Sequence, residues 1–379
     1  MNILVAGDFC PMHRVAECFD RGEYDYVLGQ VSQEIRAADY SIVNFECPIC
    51  HGGEQRIRKC GPNLKCGTSG LEAVKWAGFS CVTLANNHFL DYGEAGVNHT
   101  LDSCKSLGID FVGGGKQLSE ASSTLFVEIN AYRVAIVNCC EHEFSLATEM
   151  SAGSNPLNPI KQYYAITDAK LRADIVLVIV HGGHEMFQLP SIRMQDTYRF
   201  FIDAGADAVV NHHQHCHSGY EFYHGKPIVY GLGNFCFDET GIRFDNWFYG
   251  MMTLITFEGK SISMQLIPYK QCKEQPTITL LDETERKNFE NRIKELNGII
   301  TDRAQLERAV NDYYRCCMHR SSTIFEPWLN RYINGLQARG MLPSFISKKR
   351  ALKLYGQLFC EAHRDKLEYY LQENYNRNK

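Results

Sequence analysis

The chain has 379 residues, 45% hydrophobic and 22% charged, an ordinary globular composition with room for one large domain and an appendage. Its net charge of −5 divides unevenly: residues 1–280 carry 21 Lys and Arg against 31 Asp and Glu, while residues 281–379 carry 18 against 13. An acidic body argues against a nucleic-acid partner, which would need a basic stripe over its site, and no apolar run is long enough for a transmembrane segment.

In chain order, five apolar strand-like runs each end in a residue able to bind a metal or move a proton. Ile3–Ala6 leads into Gly7-Asp8, Ser41–Val43 into Asn44-Phe45-Glu46, and Cys81–Ala85 into Asn86-Asn87-His88. Further on, the run from Ile175 ends at His181, and Ala208–Val210 opens into a segment holding His212, His213, Gln214, His215 and His217. Between these runs lie helical patterns at Val27–Ala38, Leu71–Ala77, Glu94–Leu107 and Met194–Ala204, with Gly78, Gly108 and Gly205 at the expected stops. Alternation of strand and helix from residue 2 to about residue 210 predicts βαβ units and a mainly parallel sheet.

Two hairpins interrupt that pattern: Leu125–Ile129 with Arg133–Asn138, and Met251–Phe257 with Ser261–Pro268. Hairpins combined with βαβ units predict two mixed sheets packed face to face with helices outside. The stretch Ser151–Pro159, with Gly153, Asn155 and Pro156, reads as an excursion over the surface. Apolar residues then recur at helical spacing in Phe289–Leu296, Leu306–Tyr314, Ile324–Leu336 and Leu352–Leu371, so the expected domains are 1–275 and a helical region 276–379.

The sixteen cysteines sit mostly singly in apolar runs, and the first strand begins at residue 2 with no room for a signal peptide, so reduced thiols and a cytoplasmic location are expected. Cys47 and Cys50 form a C-x-x-C pair, but Cys60 and Cys66 have the wrong spacing for a zinc ribbon.

In an α/β sheet the carboxyl ends of parallel strands share one edge, where ligands bind. A catalytic metal site needs several His or carboxylate ligands from different strands, and the strand ends offer Asp8, Glu46, Asn87, His181, His213 and His215. Imidazoles suit Zn, Mn or Fe, and a shared Glu46 or Asp8 would allow either one divalent ion or two. His88 beside Asn87 is then placed to give a proton to a leaving group, with Asp91 holding its ring. Each residue alone has a plainer reading: Asp8 as a turn residue, Asn44 and Glu46 as loop hydrogen-bonders, His181 as part of a tight turn. His212, His217 and His184 default to structural roles, Glu185 is placed to orient a ligand, and Glu141, His142 and Glu143 follow another strand end.

The order Gly7-Asp8, Asn44-Phe45-Glu46-Cys47-Pro48, Ala85-Asn86-Asn87-His88 with Asp91-Tyr92-Gly93, His181-Gly182-Gly183-His184-Glu185, His213-Gln214-His215 and Gly233-Asn234-Phe235 with Asp238 resembles the CapA family. That family is linked to capsule and poly-γ-glutamate synthesis and related to calcineurin-like metallophosphoesterases. The resemblance covers residues 1–270 and implies a four-layer α/β/β/α sandwich, the six ligands named above, His88 as the acid, and Asn234 and Asp238 in the pocket wall; Asn44 and Asn86 are expected to line the pocket behind the ligands. It also shows departures: Cys10 stands where typical phosphoesterases carry His, Gly182 where the family has Trp, and Gln214 where it has Pro.

The leading expectation is a metal-dependent phosphoesterase-type hydrolase acting on an anionic small molecule or polymer in surface-polymer synthesis. Its rivals are a non-catalytic component that binds polymer or assembles a polymer-synthase complex at the inner membrane face, using the basic tail to dock, and a metal-dependent amidase or peptidase.

Overall fold

The structure is a computed structural model and describes residues 1–59, 61–239, 241–259, 261–322, 330–359 and 371. Its strands are β1 (Asn2–Cys10), β2 (Tyr40–Phe45), β3 (Cys81–Thr83), β4 (Asp110–Val112), β5 (Gly114–Gly115), β6 (Leu125–Ile129), β7 (Tyr132–Cys140) and β8 (Gly153–Ser154). Then come β9 (Ile175–His181), β10 (Ala208–His212), β11 (Tyr220–Tyr223), β12 (Lys226–Val229), β13 (Asn234–Phe237), β14 (Tyr249–Glu258), β15 (Ser261–Gln271) and β16 (Ile278–Leu280). The helices of the body are α1 (His13–Asp20), α2 (Tyr24–Ala37), α3 (Thr68–Ala77), α4 (Gly93–Leu107), α5 (Leu118–Ala121), α6 (Pro159–Arg172), α7 (Ile192–Asp203) and α8 (Glu283–Thr301). Beyond them lie α9 (Arg303–Ser322), α10 (Arg331–Ala338) and α11 (Lys348–Phe359). The chain divides into two compact units, Met1–Glu307 and Arg308–Lys379.

One sheet runs β16-β15-β14-β1-β2-β3-β4, with β13 also paired to β1, and the other runs β11-β12-β10-β9-β7-β6. Strands β1 to β4 are mutually parallel, as are β7, β9, β10 and β12, whereas β6, β11, β14, β15 and β16 pair antiparallel. Because side chains alternate along a strand, Ile3 and Val5 of β1 share one core with Ile175, Leu177 and Ile179 of β9, while Leu4 and Ala6 pack with Val27, Val31, Leu71 and Val74 of the helices. Helices α6 and α7 cover the outer side of the second sheet. This is a four-layer α/β/β/α sandwich.

The predicted helices lie within a few residues of α2, α3, α4 and α7, and Gly78 and Gly108 take left-handed conformations as helix stops. Three helices of the body fall outside the predicted patterns: α1 and α5, of eight and four residues, and α6, whose start is marked by Asn158 accepting from the Ile160 and Lys161 amides with Pro159 in the first turn. Of the tail patterns, residues 324–329 and 360–370 lie outside the described residues, as do Cys60 and, in the second hairpin, Lys260.

The segment expected to cross the surface at Ser151–Pro159 instead dives inward. Ala152, Ser154 and Asn155 are buried. The Ser154 hydroxyl donates to the Leu84 and Asn86 carbonyls, and the Asn155 amide to the Asn138 carbonyl. The loop's polar residues bond backbone groups just after β3 and near the end of β7, so a composition typical of exposed turns here serves a buried junction.

The end of β1 is shaped by a bulge. Pairing with β2 shifts register between Ala6 and Asp8, and pairing with β13 shifts between Asp8 and Phe9. A Cβ on Gly7 would lie 2.0 Å from the Gly233 carbonyl oxygen, which itself accepts the Asp8 N–H, so only glycine permits this approach.

Candidate metal centre

The strand ends meet at one edge of the two sheets. Asp8 comes from β1, Asn44 from β2, Glu46 from just beyond it, His181 from β9, and His213 and His215 from the loop after β10. All six are buried, together with Asn87 and His88.

Three donor atoms lie close to His181 Nε2. His181 Nε2 lies 3.0 Å from Asn87 Oδ1, 3.0 Å from His213 Nδ1 and 3.5 Å from Glu46 Oε1. Ligand atoms held about 2.0–2.2 Å from a common cation are separated by roughly 3.0–3.6 Å, so these spacings match edges of a coordination polyhedron. A second group shares Glu46: His215 Nε2 is 3.9 Å from Glu46 Oε1, and His215 Nδ1 is 3.8 Å from Asp8 Oδ2. In each trio, Glu46-His181-His213 and Asp8-Glu46-His215, the ligand atoms lie within 4.8 Å of one another.

Glu46 tests whether a cation fits. Its side chain has no exposure, and among the described residues neither carboxylate oxygen has a hydrogen-bond partner. Burial first, and the neighbouring Asp8 charge second, hold its carboxyl well above the usual range. Burial likewise drives His181 well below the ordinary imidazole value, reinforced by His213, and lowers His213. Neutral imidazoles around a carboxylate without a donor are the form in which these groups take a divalent ion.

Other side chains hold this set in place. Asn44 donates from Nδ2 to Asp8 Oδ1, with His181 Nδ1 3.3 Å from the same nitrogen. Asn86 accepts the His88 N–H and donates to the Phe45 carbonyl, which fixes the turn after β3. Asn234 Oδ1 sits 2.9 Å from His215 Nδ1, and Trp247 and Phe237 pack against the His215 ring. His213 and His215 adopt φ values of 89° and 53°, left-handed conformations that cost free energy in non-glycine residues and concentrate at functional sites.

Beside the cluster, His88 Nδ1 and Asp91 Oδ2 are 2.6 Å apart, and Asp91 Oδ2 also accepts the Leu64 N–H. Lys59, with a side chain only 3% exposed, forms an ion pair with Asp91 and lies 3.1 Å from His88 Nδ1. Desolvation lowers the His88 pKa, against the opposing pull of Asp91.

Two wall residues lie elsewhere. Asp238 is bound by the Arg14 guanidinium and backbone N–H, pinning α1 to the end of β13. Glu185 is exposed at the rim, near enough to act electrostatically on Glu46 and His213. Glu143 stands closer, 3.7 Å from His213 Nε2 and 3.4 Å from Asn87 Nδ2, whereas Glu141 is taken up by Arg193 and the Gly183 N–H.

Sequence reasoning missed Lys59, because nothing periodic marks the 51–67 loop; its only signal is the basic run Arg56-Ile57-Arg58-Lys59. Cys10, in the place of the expected phosphoesterase histidine, is buried in the helix-side core, and its thiol is raised by desolvation. At Gly182 a Cβ would lie 2.6 Å from the Glu141 side chain, so the wall is closed there by Glu141. Gln214 donates to the Phe187 and Leu189 carbonyls, a bond that proline has no donor to make.

The sequence profile of the family described as "Bacterial capsule synthesis protein PGA_cap" matches residues 2–239. Over 251 residues the chain is 33% identical to a capsule biosynthesis protein CapA of Bacillus anthracis, covering 64% of this chain and 61% of that one. It is 31% identical over 240 residues to a PGA biosynthesis protein CapA of Bacillus subtilis, covering 62% and 63%. A probable polyglutamine synthesis accessory protein of Mycobacterium tuberculosis is 28% identical over 258 residues, covering 62% and 67%. The alignment thus spans less than two thirds of the two Bacillus relatives. Among solved structures, a hypothetical protein of Thermus thermophilus superposes with a TM-score of 0.45 at 15% identity, covering 71% of this chain and 99% of that one. A phosphatase of Mycoplasma pneumoniae gives 0.43 at 15% identity, covering 77% and 99%.

Proposed function

Because the chain belongs to the bacterial capsule synthesis family PGA_cap, we propose that it is a divalent-metal-dependent hydrolase of phosphoester bonds that serves the synthesis of capsule or poly-γ-glutamate. The observation that carries the reading is Glu46, a fully buried carboxylate with no hydrogen-bond donor among the described residues, ringed by three imidazoles and Asp8. In this reading Glu46, Asn87, His181 and His213 hold one ion, and Asp8, Glu46 and His215 provide for a second. Bound there, a divalent ion supplies Lewis-acid polarisation of the scissile group and a nucleophile at neutral pH.

The chain's own groups do the rest. Asp91 Oδ2 accepts the Nδ1 proton of His88, which fixes the ring and leaves Nε2 to deliver a proton to the departing oxygen. An anionic group arriving beside His88 favours its imidazolium form, offsetting the desolvation that lowers its pKa in the protein alone. Lys59 balances the Asp91 charge, so that the carboxylate orients His88 without standing as an uncompensated buried anion.

The test is turnover of bis-p-nitrophenyl phosphate and of a γ-glutamyl peptide by protein reloaded with Mn, Zn or Fe after chelation. Metal-dependent cleavage of the phosphodiester is expected, with His88→Ala keeping its metal and losing roughly a hundredfold or more in kcat. Peptide cleavage alone would identify an amidase, and inert metal-loaded protein would sink the hydrolase reading. A His88→Ala protein without metal would refute the assignment of His88 as acid.

A further inference from the structure

We propose that the segment from α10 through α11, residues 331–359, binds the surface of an anionic lipid bilayer. This does not rest on the hydrolase reading. Residues 331–359 contain Arg331, Arg339, Lys348, Lys349, Arg350 and Lys353 and no Asp or Glu, in a chain whose net charge is −5. Such a density of one sign attracts a negatively charged surface.

Charge alone fits any polyanion; the apolar residues narrow the choice. In α11, Leu352, Tyr355 and Leu358 recur at three-residue spacing, which places them along one side of the helix, and they are 72%, 60% and 42% exposed. Lys349 and Lys353 lie one turn apart along the Leu352 edge of that stripe and are also exposed. An amphipathic helix normally turns its apolar stripe into a core. Here Leu352 and Leu358 are exposed, as are Tyr332 and Met341 earlier in the segment. An outward apolar stripe edged by cations is the pattern of a helix lying in the interface plane, apolar side chains among the acyl chains and ammonium groups at the headgroups. The proposed contact is peripheral, and no described helix is long and apolar enough to cross a membrane. A soluble polyanion such as polyglutamate would engage the cations and leave the leucines in water.

The experiment is co-sedimentation of the full chain with vesicles of phosphatidylcholine alone and of phosphatidylcholine mixed equally with phosphatidylglycerol. Binding is expected only to the anionic vesicles and should weaken as salt is added. K349Q together with K353Q should reduce it about 25-fold, roughly fivefold per cation removed. L352Q together with L358Q should reduce it at least tenfold, on the order expected for two leucines leaving an apolar phase. Circular dichroism identical to the parent would show that these exposed substitutions leave the fold intact. Equal binding to both vesicles, no binding, or binding indifferent to the leucine substitutions would overturn the proposal. So would L352Q/L358Q turning a dimer into a monomer without any vesicle binding, which would make the stripe a contact between copies of the chain.

Discussion

Replacing Glu46 by Gln is the sharpest test of the buried centre, because it changes charge while nearly preserving shape. Glu46 has no exposure and, among the described residues, no hydrogen bond to either carboxylate oxygen. An unsatisfied charged group in such a place costs several kcal/mol, whereas a Gln amide set 3.5 Å from His181 Nε2 can donate to the imidazoles. In chelated protein, Glu46→Gln should therefore be more stable than the parent, by about 1–3 kcal/mol at neutral pH. The sign with pH follows from the direction of the shift. A carboxyl whose folded pKa lies well above the ordinary 4.5 favours folding below 4.5, and that contribution is lost as pH rises through the folded value. The advantage of the Gln variant should then vanish in acid and grow toward neutrality. With metal the ranking should invert. The parent gains about 2.7 kcal/mol per ion at a hundredfold excess over Kd, and the variant, lacking the shared ligand, gains little. Urea denaturation with and without Mn or Zn, alongside elemental analysis, reads both effects. A variant that is less stable without metal, yet binds metal like the parent, would refute the reasoning.

Lys59→Met should destabilise the body by about 3 kcal/mol, because among the described residues it leaves buried Asp91 only His88 and the Leu64 N–H as side-chain partners. The double change with Asp91→Asn should recover part of that loss in a denaturation cycle, and strict additivity would show that the two side chains are not coupled. Burial pushes the Cys104 thiol up to about 12, so iodoacetamide at pH 8 should leave it unmodified in native protein while the exposed Cys316 reacts. Peptide mapping by mass spectrometry checks this, and equal labelling of the two cysteines would contradict the described core.

Sequence alone was enough for five strands of the two sheets, both hairpins and the strand ends, because these depend on local periodicity. A strand buried on both faces is a continuous apolar run, and the polar residue that ends it marks the sheet edge whatever lies elsewhere. That is why Asp8, Glu46, His181 and His213 stood out, from Asp8 at the end of Ile3–Ala6 to His181 at the end of the run from Ile175. Tertiary structure alone decided the roles of loop residues, since a loop has no period and its contacts come from distant chain. Lys59 reaches Asp91 across 32 positions, Arg14 claims Asp238 across 224, and Ser154 crosses 68 to hold the backbone at Asn86. Composition made the Ser151–Pro159 loop look exposed because polar residues usually meet water, but here they meet the open backbone groups of a buried turn. The outward apolar face of α11 is likewise set by the fold: periodicity shows that a helix has two sides, and only packing determines which of them faces solvent.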